Sequence, residues 1–174
     1  NQNGPLAYGF RGNAQNLDLN RDFTKCDSRN ARSFTAIFHY LQPDVFLDTH
    51  VSDGADYQYT MTLITTQYNK LGGSLGEWLK KDFEPKVYAG MKNKNWDLIP
   101  YVDFVNINSN KGIKMFNETS RYSSGYAALF NTLAFISETH MLKPYAQRVQ
   151  ATYDLINVLI QQTALHAADI IRLR

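Results

Sequence analysis

The chain has 174 residues, enough for one domain of ordinary size, and its 44% apolar and 20% charged composition is that of a folded rather than a disordered protein. Eighteen basic against sixteen acidic side chains leave a formal charge of +2 with no Lys/Arg block, which argues against a nucleic-acid-binding footprint. No apolar run approaches the roughly 18 residues of a membrane helix, and the one cysteine, Cys26, excludes an intrachain disulfide or a cysteine-based zinc cluster.

Asn1-Gln2-Asn3-Gly4-Pro5 is turn chemistry without the charged-then-apolar layout of a signal peptide. Residues 1–30 read as a polar loop, interrupted by the alternating run Asn16-Leu17-Asp18-Leu19-Asn20, which suggests a short extended segment. Asp27 or Ser28 can cap a helix whose Ala31, Phe34, Ile37, Phe38 and Leu41 make one apolar face, and Pro43 stops it. Val45-Phe46-Leu47 then predicts a buried strand that ends in Asp48-Thr49-His50. Tyr57 to Thr65 predicts a second strand, with Tyr57, Tyr59, Met61 and Leu63 on one face.

Gly72-Gly73-Ser74 opens a helix with Leu75, Trp78, Leu79 and Phe83, and Pro85 is placed to kink or end its first half. Ile99 to Val105 reads as a strand, at a sheet edge because of Pro100. Residues 106–125 form a polar loop of about twenty residues, long enough to suggest a functional role. A short helix over Ser124 to Asn131 leads to a buried strand, Leu133-Ala134-Phe135-Ile136, that ends at Glu138. From Pro144 the pattern predicts one long helix with a buried stripe of Tyr145, Val149, Ile156, Leu159, Ile160, Thr163, Ala167 and Ile170. The expected class is α/β, a mixed sheet flanked by helices, in a single domain over 1–174.

Two buried strands thus end in polar residues, His50 in one and Glu138 with His140 in the other. If they are neighbours, an imidazole and a carboxylate share the crevice at the carboxyl edge of the sheet, where α/β folds bind ligands; a structural strand-capping role for His50 is the alternative. In the early loop, Arg11 and the pair Asn20-Arg21 flank Asp18. Two guanidiniums and an amide make a carboxylate-recognition set, because a guanidinium grips a carboxylate bidentately and keeps its charge away from water. Taken alone, both arginines read as solvated loop residues.

The string from Arg11 through Asn13, Asp18-Leu19-Asn20-Arg21 and Phe23 resembles the R-x-N-x-x-x-x-D-L-N-R-[ND]-F segment of the zinc metallocarboxypeptidase family, in its regulatory and bacterial form. Asp48-Thr49-His50 and Phe135-Ile136-Ser137-Glu138 resemble, in the same order, that family's third zinc ligand and its catalytic glutamate. The resemblance implies a carboxypeptidase-like (phosphorylase/hydrolase-like) fold and hydrolysis of C-terminal peptide bonds by a zinc-activated water. It assigns His50 to the metal, Glu138 as general base, Arg11 to the oxyanion, Asn20 and Arg21 to the substrate carboxylate, and Asp18 to a second shell that orients a zinc-ligating histidine. A mobile-loop tyrosine matches Tyr122 first and Tyr126 second. It also favours a periplasmic or secreted location and a peptide C-terminus as partner.

The family's first two zinc ligands come from an upstream H-x-x-E, and this sequence has none. His50-Val-Ser-Asp53 and His166-Ala-Ala-Asp169 share only the spacing, and His166 reads as structural. The chain therefore reads as the C-terminal portion of a catalytic domain, truncated at its N-terminus, inactive alone, with zinc absent or partial. A sheet cut in this way would expose an apolar edge that favours self-association. Segment Arg121 to Asn131 is the expected wall of the side-chain pocket: Tyr126 and Phe130 suit apolar groups, Arg121 an acidic one. A γ-D-glutamyl hydrolase of cell-wall peptides and a non-catalytic carboxylate- or peptide-binding module are the alternatives. Gly72-Gly73-Ser74-Leu75-Gly76 fits the serine-hydrolase G-x-S-x-G pattern, but no strand runs into it, and Ser74 reads as a helix cap.

Overall fold

The computed structural model describes residues 11–52, 56–104 and 112–174. The expected turn over residues 1–5, Val105, the start of the long loop at 106–111, and Asp53 lie outside them.

The first described element is a 3-10 turn, Leu19–Arg21, in place of the extended segment suggested by alternation. Asp18 causes the difference: its carboxylate accepts the Asn20 N–H at 2.9 Å and caps the turn. Helix α1 (Arg29–Leu41) starts where expected, with the buried Ser28 hydroxyl accepting the Ala31 N–H at 3.0 Å. The buried Asp22 carboxylate accepts the N–H groups of Asp27 and Ser28 and so holds the approach to the cap. Burial pushes the Asp22 carboxyl up, but these bonds outweigh it and leave the group below its ordinary value. The helix ends at Gln42, in the left-handed region ahead of Pro43.

Strand β1 (Val45–Val51) carries the Asp48-Thr49-His50 end within it. Strand β2 (Met61–Thr65) is shorter than the Tyr57–Thr65 reading, and Tyr57 instead stacks on His140 with centroids 4.0 Å apart. Helices α2 (Tyr68–Leu71) and α3 (Gly73–Trp78) meet at Gly72, whose φ of +65° suits glycine. Ser74 is the second residue of α3, with its cap position held by Gly72, so it is not the cap expected from sequence. A π-helical turn (Leu79–Phe83) runs directly into α4 (Glu84–Lys92). Pro85 falls in the first turn of α4, where a missing N–H costs little, and the chain continues through it.

The expected strand Ile99–Val105 divides. Strand β3 (Ile99–Pro100) joins the main sheet at its edge, and β4 (Val102–Phe104) pairs with β5 (Ile113–Met115) in a separate antiparallel ribbon. Helix α5 (Ser123–Ala128), strand β6 (Leu133–Thr139), helix α6 (Tyr145–Leu165) and helix α7 (Ala167–Leu173) complete the chain. His166 interrupts the expected single helix and turns its ring edge toward Trp78 and Phe83, a packing role.

The protein is a mixed α/β chain with a four-stranded sheet in the order β1-β6-β2-β3. Strand β6 runs parallel to β1 and antiparallel to β2. One sheet face, with Met61, Leu63, Leu133 and Phe135, packs on Leu79, Phe83, Val87, Met91, Leu155 and Val158 from the π turn, α4 and α6. The other carries Phe46 and Ala134 under Phe38 of α1 and Tyr126 and Ala127 of α5.

The expected stripe is buried only at Leu159 and, in α7, at Ile170; the buried face of α6 is otherwise a different one. Ala151, Leu155, Val158 and Leu159 are buried, whereas Tyr145, Val149, Ile156 and Ile160 are exposed. Asp154 sits on the inner side, accepting hydrogen bonds from Trp96 Nε1 at 2.9 Å and Gln150 Nε2 at 3.1 Å. A carboxylate on the inner face hides that face from a reading of apolar spacing alone. In α1 the correction is similar: Phe38 is buried, but Ile37 and Leu41 point to solvent.

Candidate active site

Side chains alternate along a strand, so the face that carries Phe46 and Ala134 also carries Asp48, His50, Ile136 and Glu138. Parallel pairing sets His50 opposite Glu138, and the antiparallel partner sets Thr62 opposite Glu138 on the other side. The two strand ends singled out by sequence are therefore direct neighbours. His50 Nδ1 faces Glu138 Oε1 at 3.5 Å, and His50 Nε2 donates to Asp48 Oδ2 at 2.8 Å. The same Asp48 oxygen accepts Ser123 Oγ–H at 2.6 Å.

These groups are three-quarters or more buried. Burial works against charge on the imidazole, but the hydrogen bonds and charges of Asp48 and Glu138 reverse that and raise His50 to about 10. Burial likewise disfavours the Asp48 carboxylate, and the bonds from His50 and Ser123 overcome it and hold the group below its ordinary value.

A cavity of about 440 Å³ opens over this face. His50, Ser52 and Glu138 line it from the strand ends, together with Arg11, Asn20, Arg21 and Tyr122 from the segments at 11–21 and 122. The loop residues are organised mostly by one another. Arg11 Nε donates to Asp18 Oδ2 at 2.7 Å. With its amide oxygen turned to the guanidiniums, Asn20 accepts from Arg11 Nη2 at 3.1 Å and from Arg21 Nη1 at 3.2 Å. Arg21 lies over the Tyr122 ring at 4.3 Å, and Tyr122 meets Phe116 edge-on. Ile64, Ile136, Tyr101, Phe116 and Met141 form the apolar part of the wall. Ser52 Oγ is buried with no hydrogen-bond partner among the described residues.

Six of the eight residues selected from sequence thus line one cavity: Arg11, Asn20, Arg21, His50, Tyr122 and Glu138. Asp18 stands behind Arg11 rather than on a histidine; the carboxylate on His50 is Asp48. Tyr126 lies outside the cavity lining, in an aromatic cluster with Phe34, Phe38 and Phe130, where its hydroxyl meets His39 Nε2 at 2.8 Å. Phe130 and Arg121 do not line the cavity either, and its apolar lining comes instead from β2, β6 and the segments around Tyr101 and Phe116.

Sequence reasoning passed over Asp48, Ser52 and Ser123. Asp48 was legible, because a residue two before His50 on a strand shares its face. Ser123 was not, since its contact spans 75 positions.

Zinc, the metal implied by the resemblance, meets one oriented imidazole here. Among the described residues no group of three His, Cys, Asp or Glu converges to hold an ion. The donor set does not by itself amount to a zinc site, and a metal at His50 would need further ligands from elsewhere. No known protein family, curated protein or solved structure matches the chain.

Proposed function

We propose that this chain carries the carboxylate clamp and the general base of a hydrolase acting on peptide C-termini. The observation that supports the reading is that Glu138 and His50, in register on adjacent strands, line one cavity with Arg11, Asn20 and Arg21. An enzyme restricted to chain ends needs a charge-specific anchor one residue beyond the reacting carbonyl. A pair of guanidiniums flanking an amide supplies it.

With the terminal carboxylate on that anchor, the scissile carbonyl lies toward Glu138. Glu138 takes a proton from the attacking water and returns it to the leaving amine; the water oxygen ends in the new carboxyl group, whose remaining proton passes to the amine, so carboxylate and ammonium are the products. Arg11 shares the Asn20 amide oxygen with Arg21 and so belongs to this anchor, in place of the oxyanion role that the resemblance assigned to it. Tyr122, braced by Arg21 and Phe116, closes the side of the cavity. A metal that activated this water would have His50 as one ligand and would take the others from elsewhere. The apolar wall of Ile64, Ile136 and Phe116 suits an uncharged terminal side chain.

The test uses the full-length protein with peptides ending in Phe, Arg or Glu, the amide of the Phe peptide, and a γ-D-glutamyl murein peptide. Release of free Phe from the acid but not the amide is expected. Preferential cleavage of the murein peptide would move the substrate to cell-wall chemistry. Binding of the acids without release would leave a carboxylate-binding module, and equal binding of acid and amide would remove the clamp.

A further inference from the structure

An imidazole presents two nitrogens, and rotating the ring by half a turn about Cβ–Cγ puts a carbon where each nitrogen stood, with little change in shape. Whether a nitrogen or a carbon of His50 meets the cavity is therefore decided by the partners that hold the nitrogens. Strand alternation places Asp48 on the same face two residues earlier, and its Oδ2 lies 2.8 Å from Nε2. Glu138, on the neighbouring strand, is more distant from Nδ1, at 3.5 Å. The tighter hold is within β1 itself.

Asp48 is held in turn. Ser123, fully buried and the first residue of α5, donates its hydroxyl to the same oxygen at 2.6 Å. The residue before it is Tyr122, whose ring lies under the Arg21 guanidinium in the lining of the same cavity. One carboxylate oxygen thus joins the strand that bears the imidazole to the helix start that bears the tyrosine.

We propose that Asp48, anchored by Ser123, is a positioning residue: it commits Nε2 of His50 to its own strand, presents Nδ1 to Glu138 and the cavity, and sets Tyr122 against the same reference. The ring orientation stands on these contacts alone; only its catalytic consequence rests on the hydrolase reading.

The experiment is ring-nitrogen NMR on the chain labelled with ¹⁵N-histidine, in wild type and in Asp48→Ala, Asp48→Asn, Ser123→Ala and Glu138→Gln. Wild type is expected to show one ring orientation with a downfield, slowly exchanging Nε2–H. Glu138→Gln is expected to leave that proton in place. Asp48→Ala is expected to abolish it and to bring in signals of the rotated ring, and Asp48→Asn, whose amide oxygen still accepts, to restore the single orientation. An Asp48→Ala protein with a native amide spectrum and unchanged His50 ring signals would overturn the proposal.

If Asp48→Ala does not fold, Ser123→Ala carries the test. It is expected to speed exchange of the Nε2 proton about tenfold, as loss of one hydrogen bond to a charged group would, and to shift the Tyr122 ring signals. Unchanged exchange and unchanged Tyr122 signals would overturn the proposal. In the full-length protein Asp48→Ala is expected to lower kcat more than it changes KM, and Asp48→Asn to recover most of the loss. Normal turnover by Glu138→Gln would remove the hydrolase reading while leaving the NMR result standing.

Discussion

The two walls of the cavity are built by different physics. His50, Asp48 and Glu138 sit on adjacent strands, where backbone pairing sets their spacing and three-quarters or more of each side chain is buried. Arg11, Asn20 and Arg21 sit on a loop and a single 3-10 turn, ordered by Asp18, by one another and by the Tyr122 ring. A sheet holds a reacting pair at a fixed distance, because moving one strand breaks the whole ladder. A loop holds its charges more loosely and can adjust to a ligand, which suits an anchor better than a proton-transfer group. The comparison predicts that damage to the sheet wall removes chemistry, damage to the helix start that joins the walls removes stability, and damage to the loop wall removes binding.

The largest effect is expected from the sheet wall. In the full-length protein Glu138→Gln should lower kcat on a C-terminal Phe peptide by about 10²–10⁴, the range for loss of a general base, with the melting temperature nearly unchanged. Near-normal turnover would take Glu138 out of the mechanism.

The joint between the walls comes next. A Cβ on Gly125 of α5 would lie 2.1 Å from the Thr119 carbonyl oxygen and 2.5 Å from its carbon, both backbone atoms that cannot yield without moving the segment before Tyr122. Gly125→Ala should therefore destabilise by about 3 kcal/mol, as overpacking against a rigid neighbour does. Denaturant unfolding measures it, and a change under about 0.5 kcal/mol, the size of an ordinary surface substitution, would show that the helix start shifts freely.

The sheet wall also predicts a pH dependence for the chain without bound metal. Folding raises His50 from an ordinary 6.5 to about 10. Its contribution to stability is therefore full below pH 6.5, declines as pH rises, and is lost above about 10. His50→Gln should flatten the stability profile over that window, and a profile unchanged by the substitution would show that the imidazole gains nothing from Asp48 and Glu138.

Smaller still is the cap of α1. Ser28→Ala removes the acceptor of the Ala31 N–H and should cost about 1 kcal/mol. The loop wall should register least in stability: Arg11 is more than half exposed, so Arg11→Ala is expected to change unfolding by less than about 0.5 kcal/mol. It should nonetheless abolish discrimination between a peptide acid and its amide, measured by titration calorimetry. Retained discrimination would assign the anchor to Asn20 and Arg21 alone.

Much of the site was readable in advance, because its residues fall in short strings: Asp18 to Arg21 on one turn, Asp48 to His50 on one strand, Glu138 at the end of another. Local chemistry, such as capping, alternation and a polar residue closing an apolar run, leaves a mark in consecutive letters. Helices α1 and α6 show where this fails. Both carry apolar residues on more than one side, so the spacing of Tyr145, Val149, Ile156 and Ile160 described a real stripe but not the one that packs. Tyr126 was misplaced for a related reason: an aromatic ring near a loop suits a pocket wall and an aromatic cluster equally well until its neighbours are known.

The letters alone determined the α/β class, the order of its main elements and the residue types of the cavity, since hydrophobic period and cap chemistry act over a few residues. Tertiary structure decided which helix faces turn inward, that β6 lies between β1 and β2, and that Ser123 reaches Asp48 across 75 positions. Those choices depend on the combined packing of distant segments, where the burial of one face competes with that of another, and no local stretch of sequence contains that competition.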